Sequence, residues 1–155
     1  MNPGQARKGG VVKRLVAVMM IALSGVALSA SPCWACSCMQ QTKEEQADNA
    51  DVVIFAKVRE IIAFPDDGTY GDDNIRVKVR VRTVYKGKNI TRFKAVRTNE
   101  SGAACGYESF EVGERYTIFA DRTDGKLFTN LCSGTKKGDI NPENYGLPPG
   151  QPPEE

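Results

Sequence analysis

Four cysteines, at positions 36, 38, 105 and 132, constrain this chain more than any other feature. Two sit one residue apart and two lie far downstream, which is poor spacing for a zinc finger and good spacing for disulfides. Four thiols allow three pairings, and their spacing does not choose among them. If Cys36 and Cys38 are tied to distant partners, Cys36-Ser37-Cys38 becomes a rigid wedge rather than a frayed end.

A fifth cysteine, Cys33, bears on how the start is read. Arg7, Lys8, Lys13 and Arg14 precede an apolar run from Leu15 to Ala30, which is short for a spanning helix needing about 20 residues. Ser31-Pro32-Cys33-Trp34-Ala35 reads as the end of a secretory signal. One cut falls near Ala30 and leaves five cysteines. The other falls after Ala35 and leaves four, an even number suited to two bridges. The later cut is favoured, giving a signal peptide over 1–35 and Cys36 as the first mature residue. Cys33-Trp34-Ala35 fits a lipoprotein cut badly, and an uncleaved anchor is a lesser alternative. The leader holds four of the 21 basic side chains and none of the 19 acidic ones, so the remainder carries 17 against 19, a net −2. The basic balance of the whole chain therefore says nothing about the charge of a partner.

The chain has no histidine, which removes the usual general base, histidine triads and the commonest zinc ligand. No nucleophile and base are paired in sequence, so an enzyme is not expected, nor a cofactor of its own. Asp66, Asp67, Asp72 and Asp73 lack the ligand spacing of a calcium loop and read as solvated turns.

Met39 to Asn49 is polar and has room for a short helical turn. Asp51 to Val58 is rich in β-branched residues and suits a buried strand, with Ile61 to Phe64 extending it past a kink or bulge. Residues 65–74 carry turn chemistry. In Ile75 to Tyr85, Ile75, Val77, Val79 and Val81 alternate with Arg76, Lys78, Arg80 and Arg82, the pattern of a half-buried antiparallel strand. Further strands are expected over Ile90 to Thr98, Arg115 to Ala120 and Lys126 to Leu131. About five strands without a long helix make an all-β domain over 36–137, a small closed barrel or a sandwich. Residues 138–155 are proline-rich, with no core-forming period beyond Tyr145 and Leu147, and are expected to be a disordered tail.

Several of these stretches together resemble one family. Cys36-Ser37-Cys38, then Asn49-Ala50-Asp51-Val52-Val53-Ile54 and Ala56-Lys57-Val58, are similar to the start of the tissue inhibitors of metalloproteinases. Tyr85-Lys86-Gly87, Cys105-Gly106 and Leu131-Cys132 continue the likeness, which covers roughly 36–135. The resemblance implies a netrin-like module, a five-stranded Greek-key OB-fold barrel with short flanking helices and two disulfides. It also implies the pairs Cys36–Cys105 and Cys38–Cys132. Asp48 stands where a third bridge would begin, and Gln40 is near the place of an expected proline. The chain thus resembles a minimal, single-domain, bacterial relative.

By this resemblance, the α-amine and carbonyl of Cys36 would chelate the zinc of a partner metalloprotease. Ser37 would enter the pocket beside the metal, and Cys38 and Met39 would follow along the cleft. Ala103 and Ala104 would line a second edge. The plainer reading of the two cysteines is a structural staple in a secreted or periplasmic monomer. A second candidate site is the basic face of Arg76, Lys78, Arg80 and Arg82. Nine basic residues and no acidic one fall between Arg76 and Arg97. They make either a solvated strand face or a patch for a polyanionic envelope or matrix surface. Nucleic acid is not expected, since no aromatic residues interleave with these charges for stacking.

Overall fold

Strand β1, Val52–Ala63, is buried on both of its faces over its first half, and the barrel is built outward from it. The computed structural model describes residues 36–64, 75–102 and 105–155. The expected leader, the turn over 65–74 and the pair Ala103 and Ala104 lie outside the described residues.

β1 pairs antiparallel with β2, Ile75–Lys86, on one edge and with β4, Arg115–Thr123, on the other. β3, Phe93–Thr98, extends β2 antiparallel, and β5, Lys126–Phe128, joins β3 to β4. The β3–β5 pair is parallel. The β1–β4 pairing closes the ring β1-β2-β3-β5-β4. This is the five-stranded barrel the sequence led us to expect, with a two-residue β6, Lys136–Lys137, added beside β4. The pairing of β1 with β2 shifts register after Val53, after Phe55 and between Val58 and Glu60. Such bulges bend a strand and increase its twist, which lets one long strand curl around a small barrel.

The alternating positions fill the interior. Val52, Ile54, Ala56 and Val58 of β1 meet Val77, Val79 and Val81 of β2, Val96 of β3 and Tyr116 and Ile118 of β4. The Tyr116 hydroxyl donates to the Ser109 carbonyl at 2.6 Å, so its polar end is satisfied inside the core.

The opposite face of β1 and β4 is also covered, which explains the unbroken apolar run from Val52 to Ile54. Val53 and Phe119 point outward into a second cluster with Ala47, Ala50, Tyr85, Ile140 and Tyr145. Ala47 belongs to helix α1, Lys43–Asn49, which starts on a capping box. The Glu45 N–H donates to the Thr42 hydroxyl at 3.2 Å, and the Thr42 N–H donates to the Glu45 carboxylate at 2.7 Å.

The C-terminal segment departs from the expectation of a disordered tail over 138–155. Asn141 caps a 3-10 helix, Pro142–Tyr145, that ends on Gly146 at φ +63°. Tyr145 is buried, with its ring centroid 5.4 Å from that of Phe119. The Tyr85 hydroxyl donates to Asp139 at 2.6 Å. Ile140, Tyr145 and Leu147 show no period, yet a single side of an already folded barrel needs only a few apolar contacts to hold a segment.

Burial first, and then the hydrogen bond and charge of Asp139, push the Tyr85 phenol up to about 12 from an ordinary 10.0. A group raised in this way stabilises the fold fully below its ordinary pKa and loses that contribution as pH climbs through its folded value. Urea unfolding should therefore show stability falling between pH 10 and about 12. In Tyr85→Phe the fall should be shallower, with the remainder coming from Tyr107 and Tyr116, whose pKa values are also raised. At neutral pH the same variant should lose about 1–3 kcal/mol with its hydrogen bond.

Candidate inhibitory head and basic surface

The chain from 36 to 42 has no regular structure of its own; Thr42 is held by the capping box, and the cysteines ahead of it by covalent ties. Cys36 is bridged to Cys105 and Cys38 to Cys132, with Cα separations of 5.3 and 5.2 Å. These are the pairs the family resemblance implied. They close spans of 69 and 94 positions and use all four thiols, so no cysteine sulfur of the described residues is left for metal chemistry.

Both anchors are themselves held. Cys105 adopts a left-handed φ of 62°, and its N–H donates to the Gly102 carbonyl at 3.1 Å. Next to it, Gly106 donates to the Ser101 carbonyl at 2.9 Å and packs so close that a Cβ would fall 2.1 Å from the Asn99 carbonyl oxygen. Only glycine fits there. Glu108 accepts from the Gly102 N–H. The Tyr107 N–H donates to the Thr98 hydroxyl at 2.8 Å, tying this loop to the end of β3.

The second anchor is fastened from either side of Cys132. Thr129 donates to the Phe119 carbonyl at 2.8 Å, and the Phe119 N–H donates to the Thr135 hydroxyl at 3.0 Å. The Cys132 N–H donates to the Asn130 side chain at 2.8 Å. The Leu131 N–H donates to the Cys105 carbonyl at 2.8 Å, so the two anchors are joined directly to each other. Residues 36 and 38 are thus stapled to one continuous piece of scaffold.

Between and beyond the staples the chain is open to solvent. Cys36 is half-buried, whereas Ser37, Cys38, Met39 and Gln40 are exposed, Met39 to 85%. Behind the head, a polar crevice of about 150 Å³ lies between Gln41, Gln46 and Asn49 on one side and Asn130, Cys132 and Ser133 on the other. Asp121 also lines it, and burial, followed by the charge of Asp51, raises its carboxyl above the ordinary range.

The basic strand face is divided by the fold. Arg76 and Lys78 enter a trough of about 360 Å³ with Lys94, Arg97, Arg122 and Lys126. Of these, Lys78 is paired with Glu60 at 2.9 Å, and Arg76 lies 4.8 Å from the Phe64 ring centroid. Arg80 and Arg82 instead border a separate cavity with Arg92 and the C-terminal segment. Arg122 and Lys126 had no place in the sequence reading. The parallel pairing of β3 with β5 brings them in, and a three-residue strand carries no pattern from which to read it.

A family model described as tissue inhibitor of metalloproteinase matches residues 34–139. The chain belongs to the tissue inhibitor of metalloproteinase family. Metalloproteinase inhibitor 3 of Scyliorhinus torazame is 27% identical over 118 residues, covering 74% of this chain and 52% of that protein. Metalloproteinase inhibitor 3 of Gallus gallus is 30% identical over 109 residues, covering 68% and 49%. The chain spans about half the length of these relatives. Within the family match lie the barrel, both bridges and the head; residues 140–155 lie beyond it.

Removing the second bridge tests how far the scaffold depends on it. The double variant Cys38→Ala/Cys132→Ala should lose about 2–5 kcal/mol in urea unfolding. Limited proteolysis of the folded variant should cut near residue 40 first, since Cys36 alone would then restrain the head.

Proposed function

We propose that this protein is an exported metalloprotease inhibitor whose head blocks the protease's zinc. The observation that carries this reading is the double staple, which holds three consecutive residues against paired anchors while leaving Ser37 to Gln40 exposed. Family membership supports the class of partner. Disulfides of this kind suit a secreted or periplasmic protein.

The chemistry follows from what the bridges leave free. With the sulfur of Cys36 committed, its α-amine and carbonyl remain. A catalytic zinc keeps one position for water, and a neutral amine with an adjacent carbonyl is a compact chelate able to displace it. The amine must shed its proton, which costs little near neutrality for a group of pKa about 7.7–8.0. Ser37 would enter the pocket beside the metal, and Cys38 and Met39 would lie along the cleft. Ala103 and Ala104, next to the Cys105 anchor, would form the second edge. A head fixed before binding loses little conformational entropy on docking. The protein needs no cofactor of its own in this scheme.

All of this requires a cut between Ala35 and Cys36. N-terminal sequencing of the exported protein should begin at Cys36. One added alanine ahead of Cys36 should weaken inhibition of a zinc endopeptidase at least 100-fold without altering the melting temperature. Equal potency of the two forms would sink the chelation mechanism. Inhibition should also weaken as pH falls below about 7.7, where the amine holds its proton.

The six-cation trough favours a second reading, a non-inhibitory module that adheres to acidic envelope or matrix surfaces. Charge reversal at Lys94 and Arg97 should then abolish retention on an immobilised sulfated polysaccharide. If inhibition survives that change, the trough and the head act separately.

A further inference from the structure

β2 has one edge filled by β1 along its whole length, from Ile75 to Lys86. Its other edge is filled by β3 only as far as Arg80, opposite Phe93, and by one further bond from the Val81 N–H to the Arg92 carbonyl at 2.9 Å. Beyond that point β3 makes no further ladder pair with it. A strand edge left in this state is a template for another strand.

The C-terminal segment occupies the gap. Gln151 both donates to and accepts from Val84, each bond 2.8 Å. On the far side the Glu154 N–H donates to the Ile90 carbonyl at 2.8 Å, and the Arg92 N–H donates to the Glu154 carbonyl at 3.2 Å. The Asn89 N–H donates to the Glu154 carboxylate at 3.1 Å. The segment therefore lies antiparallel to β2 and parallel to the chain at Thr91. Residues 148–152, 154 and 155 are exposed, so the strap is held by main-chain bonds and buries little side-chain surface.

We propose that this gap is an acceptor groove for an extended, proline-containing acidic peptide of a partner protein. The chain's own residues 147–155 are then its resident, exchangeable occupant. Main-chain pairing supplies the attraction, as in other cases where a peptide adds a strand to a sheet. Two features supply selectivity. At Gly150 a Cβ would fall 2.1 Å from Cγ2 of Thr83 and 2.8 Å from Cε1 of Tyr85, so the groove demands glycine there. Four residues on, Glu154 lines a cavity of about 670 Å³ together with Arg80, Arg82 and Arg92; its carboxylate accepts from the Asn89 N–H and forms no ion pair with these arginines, whose nearby positive charge still favours an acidic side chain over a basic one. Phe93, 66% exposed, and Pro152 and Pro153 form the apolar part of the same cavity. It is open beside the strap, leaving room for a bulkier partner sequence. The recognised pattern is glycine, one further residue, two prolines and then an acid four residues after the glycine.

The test uses the full oxidised protein and a fluorescent nonapeptide with the sequence of residues 147–155. Gly150→Val should displace the strap while leaving the barrel intact. Gln151→Pro, which deletes the N–H donated to Val84, serves the same end by another route. In each variant, hydrogen exchange at the Val84 and Arg92 amides should quicken at least tenfold, and added peptide should restore protection. The peptide should bind both variants at least tenfold more tightly than the parent protein, and added salt should weaken it. A peptide with valine in place of its glycine should not bind. Unchanged exchange at Val84 and Arg92 in both variants would overturn the assignment of the strap. Quickened exchange without peptide binding, or equal binding of the valine peptide, would overturn the groove.

Discussion

The burial of β1 on both faces is the constraint from which the remaining architecture follows. Val52, Ile54, Ala56 and Val58 require a closed interior, and Val53 requires a cover on the outside. A barrel alone satisfies the first demand but leaves Val53 and Phe119 in water. Helix α1 and the C-terminal segment meet the second, each offering few apolar groups and neither forming a core by itself. The outer cluster is thus a joint product of the two ends of the domain. It is also what brings the start of the folded chain close to β4, from whose far end the Cys132 anchor leads away.

The disulfides act on a scaffold that is already rigid at the two points where they attach. Cys105 sits in a loop whose close approach at Gly106 excludes any side chain, and Cys132 lies between two threonines bonded to the Phe119 main chain. Long closed loops limit the unfolded chain, but that effect is indifferent to where the bridge lies in the native state. What position adds is local: a terminus bridged to mobile loops would remain mobile. Here the direct bond from Leu131 to the Cys105 carbonyl makes both bridges end on one body. The consequence is geometric definition of the head, which stability measurements alone do not register.

The barrel was largely legible in the sequence because β2 alternates apolar and basic residues and β1 and β4 carry β-branched and aromatic runs. Ile75 to Arg82 announced itself through four valine or isoleucine positions against four cations, and Val52 to Val58 through a run rich in β-branched residues. The bridges were legible as a set of four thiols, but their pairing came only with the family resemblance. Three features were not legible. The parallel contact of β3 with β5 rests on three residues, too few to show a period. As a result the basic face appeared as one stripe, Arg76 to Arg82, when the fold divides it between a trough and the strap cavity. The strap itself pairs through Gln151 and Glu154 main-chain atoms, and main-chain pairing leaves no mark on side-chain composition.

Head and strap both lean on the outer cluster. The Tyr145 ring is the common support: Lys43 of α1 lies 5.8 Å from its centroid and Lys136 lies 5.0 Å from it, while its hydroxyl accepts from Lys136 at 2.6 Å. Gly146 then turns the chain, with its N–H bonded back to the Glu143 carbonyl at 3.2 Å and the Leu147 N–H to that of Pro142 at 3.0 Å. The polar contacts of the Tyr145 side chain come from residues before the strap, while Leu147, the first residue of the strap, packs against the same cluster. Displacing residues 147–155 leaves Tyr145 its bond from Lys136 but takes Leu147 out of the outer cluster and Gly150 off the Tyr85 ring, so head and groove share packing through that cluster.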